Sequence, residues 1–194
     1  MTMRRVQSVA LDLYDQHGYG AVTIEAIADR ADVSPSSVYR HFGTKEGILL
    51  WNPDHEGDAP DHLATVEDGE SLLTELRRIA RTELLTESAD SRDVRYRRLR
   101  YVFEEPALRS SLGPTLEAAT AMFAEILARR TGREVTDLDV QVTAGATTGA
   151  VFSALRWWHT HRPATDLSVL LDETFDALQE GLPLITGGGD GTAG

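Results

Sequence analysis

Apolar residues recur with helical spacing from the start of the chain. Val6, Val9, Ala10, Leu13 and His17 fall at i, i+3, i+4, i+7 and i+11, one face of a first helix. Gly18 is placed to stop it, since glycine accepts the left-handed conformation that follows a helix C-cap. Thr23 is the predicted N-cap of a short second helix carrying Ile24, Ile27, Ala28 and Ala31. Asp32 and Val33 make the next turn. Ser34 then caps a third helix, with Pro35 at its first position, where a missing N–H costs nothing. That helix runs through Val38 and Phe42 to Gly43, and Thr44 caps a fourth through Ile48 and Leu49.

The pattern lapses over 52–69, a stretch with two prolines, two glycines, six acids and no Lys or Arg, which reads as an acidic loop or linker. It resumes with Leu72, Leu73, Leu76, Ile79 and Ala80. A further helix is expected to begin near Asp93, with Tyr96, Leu99 and Phe103 on one face. Pro106 should open another that reaches about Arg130, kinked or split by Pro114. Thr136 to His161 reads as one long helix. The last, capped by Thr165 or Asp166, carries Leu167, Leu170, Leu171, Phe175, Leu178 and Leu182. No stretch alternates as a strand does. The expected fold is all-α: a three-helix helix-turn-helix domain over 1–50, the acidic linker 51–69, a helical ligand-binding and dimerisation domain over 70–185, and a disordered glycine-rich tail over 186–194.

Composition narrows the function classes. The chain has 194 residues, a formal net charge of −12 and no cysteine, so disulfides, thiolate metal sites and cysteine nucleophiles are excluded. The N-terminus lacks the apolar core of a signal peptide, and the longest uncharged run, Val140 to Leu155, is too short to span a bilayer. A cytoplasmic protein is expected. The acidity is uneven: the first 50 residues hold 5 Lys or Arg against 6 acids, the remainder 14 against 25. A nearly neutral headpiece can still present one basic face.

The third helix, Pro35–Phe42, supplies a candidate chemistry. With Val38 and Phe42 facing inward, Ser36, Ser37, Arg40 and His41 are left outside and Tyr39 lies at the boundary. Small hydroxyl residues at a helix N-terminus can approach base edges in a major groove, while Tyr, Arg and His reach flanking phosphates. Thr23, Ser34 and Thr44 stand at helix starts, where backbone N–H groups favour phosphate, and Lys45 adds a positive charge. At Gly18-Tyr19, Thr23-Ile24, Ile27-Ala28, Ala31, Val33-Ser34, Tyr39, His41-Phe42 and Lys45-Glu46, the chain resembles the TetR family of bacterial transcriptional regulators. The resemblance implies that the third helix reads a double-stranded DNA operator. It gives phosphate-contacting roles to Thr23, Tyr39, His41 and Lys45, and places Ser36 and Ser37 where base contacts are made. Asp32 departs from it, standing where the family usually has glycine. The break after Trp51 is a second departure, because the family's fourth helix is usually longer.

The resemblance also implies a body that dimerises and holds an effector. Gly145 and Gly149 on the long helix allow close approach of another helix; with Leu170, Phe175 and Leu178 they are the candidate homodimer interface. Packing inside one subunit is the alternative for each. From Leu99 to Leu182 the chain looks like effector domains of mycofactocin-system-type regulators. The implied effector is a small molecule, apolar or of acyl-coenzyme A type, with Leu99, Tyr101, Phe103, Met122, Phe123 and Trp157 as candidate pocket wall. Arg92, Arg95, Arg97, Arg98 and Arg100 crowd one helix; they either pair with the body's acids or hold an anionic ligand.

No enzyme constellation emerges. His159 and His161 lack the i, i+4 spacing of a helical metal pair, the acidic loop lacks calcium-loop spacing, and no glycine-rich phosphate loop or nucleophile motif is present. No catalytic residue, metal or cofactor is expected. The expected function is a homodimeric, ligand-responsive repressor on a pseudo-palindromic operator. The alternative is a helical ligand-binding or scaffold protein whose headpiece no longer binds DNA.

Overall fold

The computed structural model describes residues 3–51, 71–85, 89–161 and 166–181. The linker expected at 52–69, the tail at 186–194, Thr165 and Leu182 lie outside them. The described residues form ten α-helices and no strand: α1 Met3–His17, α2 Ile24–Arg30, α3 Pro35–Phe42, α4 Lys45–Leu50, α5 Leu72–Leu85, α6 Ala89–Glu104, α7 Pro106–Ser110, α8 Leu112–Thr131, α9 Leu138–His161 and α10 Leu167–Gln179. The helices follow their punctuation. Thr23, Ser34 and Thr44 each accept a backbone N–H with the side-chain oxygen, from Ala26, Ser37 and Gly47. Asp166 accepts from the N–H of Ser168 at 2.8 Å and so is the cap of α10. Gly18 and Gly43 take φ of 81° and 69°, ending α1 and α3.

Three boundaries differ from expectation. α6 begins at Ala89, before the apolar face becomes visible in the sequence. The helix opened by Pro106 is split at Ser111, ahead of Pro114. Pro114 is the third residue of α8, in a first turn whose N–H groups have no helical partner, so it neither breaks nor kinks the helix. α9 starts at Leu138 rather than Thr136, behind a turn in which Asp137 accepts the N–H of Glu134 at 3.3 Å.

Packing divides the chain into two units, one from residues 1–60 and 87–115, the other from 61–86 and 116–194. In the first, Val6, Ala10, Leu11, Tyr14, Ile27, Ala28, Val38, Ile48, Leu49 and Leu108 are buried together. Helices α6 and α7 therefore share a core with the first four helices, although in sequence they follow the linker. Gln7 is buried too, and its amide donates to the carbonyls of Ile48 and Trp51 at 2.8 and 3.0 Å, closing the end of α4 on α1. In the second unit Leu76 and Ile79 of α5, Phe123, Ile126 and Leu127 of α8, Val140 and Ala144 of α9 and Phe175 of α10 form the core. The buried Glu75 carboxylate is paired there with Arg130 at 2.8 Å, and Arg77 and Arg81 of α5 bind Asp176 and Asp172 of α10.

Candidate nucleic-acid interface

The recognition surface begins with how α3 is held. Val38 is fully buried and Phe42 nearly so, which turns the opposite face of α3 outward. The turn before it carries Asp32 at φ 58°, so the aspartate does adopt the left-handed conformation where glycine is usual. After α3, a Cβ at Gly47 would fall on the carbonyl of Phe42. Glycine at 47 is therefore a requirement of the tight α3–α4 crossing, and the apolar pattern of the sequence carries no sign of it.

The outward face carries Ser36, Tyr39, Arg40 and His41, all exposed, with Ser37 half-buried beside them. The Ser34 hydroxyl lies 3.0 Å from that of Ser36 and 2.9 Å from that of Ser37, so three rotatable hydroxyls cluster at the start of α3. Thr23 and Thr44 are exposed at the starts of α2 and α4, their side-chain oxygens accepting the capping N–H groups. The Tyr39 ring is 47% exposed, and its hydroxyl donates to Glu25 at 3.2 Å.

Lys45 departs from expectation. Its ammonium turns inward, donating to the carbonyls of Tyr19 and Val22 at 2.7 and 3.0 Å, and stands 4.0 Å from the centre of the Tyr19 ring. It clamps the turn between α1 and α2 and is not presented for a phosphate. Its neighbour Glu46 accepts the Tyr19 hydroxyl at 2.7 Å. Burial first, then that bond and the charge of Glu46, push the Tyr19 phenol far above its ordinary range.

The arginine-rich helix α6 also turns to the headpiece. Arg97 binds Asp12 and Asp15 at 2.8 and 2.6 Å, Arg100 binds Asp15, and Arg98 donates to the Trp51 carbonyl at 2.9 Å. The Tyr101 hydroxyl donates to Asp15 at 2.7 Å, with its ring against Tyr14. Burial pushes the Asp15 carboxyl up, but the bonds from Tyr101 and Arg97, the Arg97 charge and the Arg100 bond outweigh it and hold the group below its usual range. Tyr101 is pushed up to about 12, by burial and then by Asp15. Arg97 and Arg100 are thus committed to headpiece carboxylates; the side chains of Arg92 and Arg95 lie outside the described residues.

The six candidate pocket residues do not share one unit. Leu99, Tyr101 and Phe103 are buried in the first; Phe123 is buried and Met122 half-buried in the core of the second. Trp157 is 45% exposed and stacks on His161 at 4.2 Å between ring centres. An open groove at the α8–α9 corner is lined by Glu125, Ala128, Arg129, Arg133, Glu134 and Val135, none of them a predicted pocket residue. Of the candidate interface residues, Gly145 and Gly149 are exposed, with open space where a Cβ would stand. Leu138, 78% exposed, and Val142, 59% exposed, continue that face at helical spacing. Leu170 and Leu178 are half-buried. Phe175 is fully buried against its own subunit's core, so it is no interface residue.

The family description "Bacterial regulatory proteins, tetR family" matches residues 8–50, and "MftR C-terminal domain", a TetR-type body, matches residues 70–183. The chain belongs to the TetR family of bacterial transcriptional regulators. It is 27% identical to the mycofactocin biosynthesis transcriptional regulator MftR of Mycobacterium tuberculosis, over 93% of this chain and 91% of that one. It is 26% identical to the HTH-type transcriptional repressor KstR of Rhodococcus jostii, over 90% and 81%. Among solved structures it matches the transcriptional regulator FadR of Bacillus subtilis in complex with stearoyl-CoA, with a TM-score of 0.60, 19% identity and coverage of 93% and 99%. All three are transcriptional regulators. No described helix of this TetR regulator is long and apolar enough to cross a membrane, and no described group of His, Asp and Glu could hold a metal ion.

Proposed function

We propose that this TetR regulator is a homodimeric, ligand-responsive repressor. The α3 face carries the reading: a capped helix, locked from behind by Val38 and Phe42, presents serine hydroxyls at its start and Tyr39, Arg40 and His41 along its outer side. Ser36 and Ser37 would approach base edges. Thr23, Ser34, Tyr39, Arg40, His41 and Thr44 would take phosphates, with Lys45 bracing the turn that carries them. Repression is favoured by the likeness to KstR. A two-fold dimer supplies two recognition helices, hence a pseudo-palindromic operator. Support for the dimer is the open face of α9, where Leu138, Val142, Gly145 and Gly149 expose apolar and small residues on one side.

Release would follow from an effector that binds the non-DNA arrangement of the body more tightly than the DNA-bound one. An apolar or acyl-coenzyme A type of molecule is the class proposed, on the likeness to the FadR complexed with stearoyl-CoA and to the MftR-type body. The test is selection of bound duplexes from a random DNA pool at two salt concentrations, without and with long-chain acyl-coenzyme A. An enriched palindrome that fades with salt and with the thioester is expected. A folded dimer that enriches nothing under any of these conditions would favour the scaffold alternative.

A further inference from the structure

Glu25 is an acid on the face assigned to DNA. It stands on the first turn of α2, exposed, and accepts the Tyr39 hydroxyl at 3.2 Å. Its carboxyl is held below the usual carboxylate range, first by a bond from its own backbone N–H, against slight desolvation, and then by the hydroxyls of Thr23 and Tyr39. Thr23 and Tyr39 are two of the six side chains that the DNA-binding reading assigns to phosphate. Both are engaged by a carboxylate of the same chain.

A phenol has one proton to donate. Tyr39 cannot give it to Glu25 and to a phosphate oxygen at once. A phosphate seated about 2.7 Å from the phenol oxygen would also lie within about 6 Å of the carboxylate, like charge against like. We propose that Glu25 limits DNA affinity: it holds the Tyr39 hydroxyl in the DNA-free headpiece and must release it before a phosphate can bind. The bond fixes the tyrosine ring at the edge of α3, and the carboxylate opposes phosphate by charge. The inference rests on the reading of the α3 face as the DNA surface.

Glu25→Gln keeps a carbonyl acceptor for the phenol and removes the charge. The test measures equilibrium binding of the full-length chain to a random-sequence duplex pool at fixed low salt, for wild type, Glu25→Gln, Tyr39→Phe and the double variant. Glu25→Gln is expected to bind about 3- to 30-fold more tightly, the range a like charge at that separation spans between bulk water and a partly screened protein surface. The gain should shrink when Tyr39 is Phe, because part of it acts through the hydroxyl. An acid that merely favours the start of α2 would change the melting temperature on replacement and leave DNA affinity unmoved. Equal affinity of wild type and Glu25→Gln, or an equal gain in both Tyr39 backgrounds, overturns the inference while the DNA-binding reading stands. Absence of binding by all four proteins overturns both.

Discussion

At position 45 a lysine that the family string assigns to DNA instead holds two carbonyls of its own fold. Sequence could not decide this. The direction of a four-carbon side chain is set by where the 19–22 turn comes to rest, and that depends on packing between α1 and α4. Lys45→Met is therefore expected to lower folding stability by about 1–3 kcal/mol, since it removes two charge-assisted bonds and the attraction of the ammonium for the Tyr19 ring. It should leave the salt slope of DNA binding unchanged, as titrations of the variant at several salt concentrations would show; a shallower slope would return Lys45 to the phosphate. Asp32 is the opposite case: the turn it makes with Val33 is visible in the sequence, and there it takes the left-handed conformation at φ 58°. Asp32→Gly should relieve that strain and raise stability by up to about 1 kcal/mol, measured by thermal melting. The caps Thr23, Ser34 and Thr44 were readable for the same reason, and that of α10 to one of two residues: capping is local chemistry. Gln7, Glu25 and Gly47 were not readable, because each acts on a residue brought to it by another helix.

The helices were readable in number and kind, because the apolar period is carried by consecutive residues. Their partners were not. The tyrosine–leucine–phenylalanine face of α6 is visible in sequence, yet its docking on α1 depends on Asp15, 82 positions before Arg97 in the chain. Asp15 takes Arg97, Arg100 and Tyr101 at once, its side chain 31% exposed. Asp15→Asn removes the charge these donors share and should lower stability at neutral pH by about 1–2 kcal/mol. The pH dependence has a definite sign. A carboxyl whose pKa is depressed on folding contributes fully above its unfolded value, 3.8 here, and loses that contribution as pH falls through the folded value. The gap between wild type and Asp15→Asn in thermal melts should accordingly be wide at pH 7 and close in acid. A gap that stays constant into acid would mean that Asp15 stabilises by packing alone. Because α6 carries these bonds, the headpiece is not the 1–50 segment by itself, even though the family descriptions match residues 8–50 and 70–183 separately.

For the whole molecule, fold class and family followed from pattern and motif. The pocket did not, because buried aromatic residues at helical spacing look alike whether they line a cavity or fill a core. Phe123 and Phe175 prove to be core, whereas Gly145 and Gly149 stand on an open face. The proposed assembly makes that face its seam, and Gly149→Arg should place a charge there without touching the subunit core. Light scattering is expected to show a dimer for wild type and a monomer for Gly149→Arg; a variant that stays dimeric would move the interface elsewhere. The central claim is that this acidic chain binds duplex DNA through the headpiece phosphate contacts, and salt dependence tests it most directly. Titration of the full-length protein onto the selected duplex at a series of salt concentrations should give two protomers per site. The affinity should fall with salt along a logarithmic slope of about −1.8 or steeper, for at least one neutralised phosphate per half-site. A slope near zero, from a folded dimer, would contradict the account.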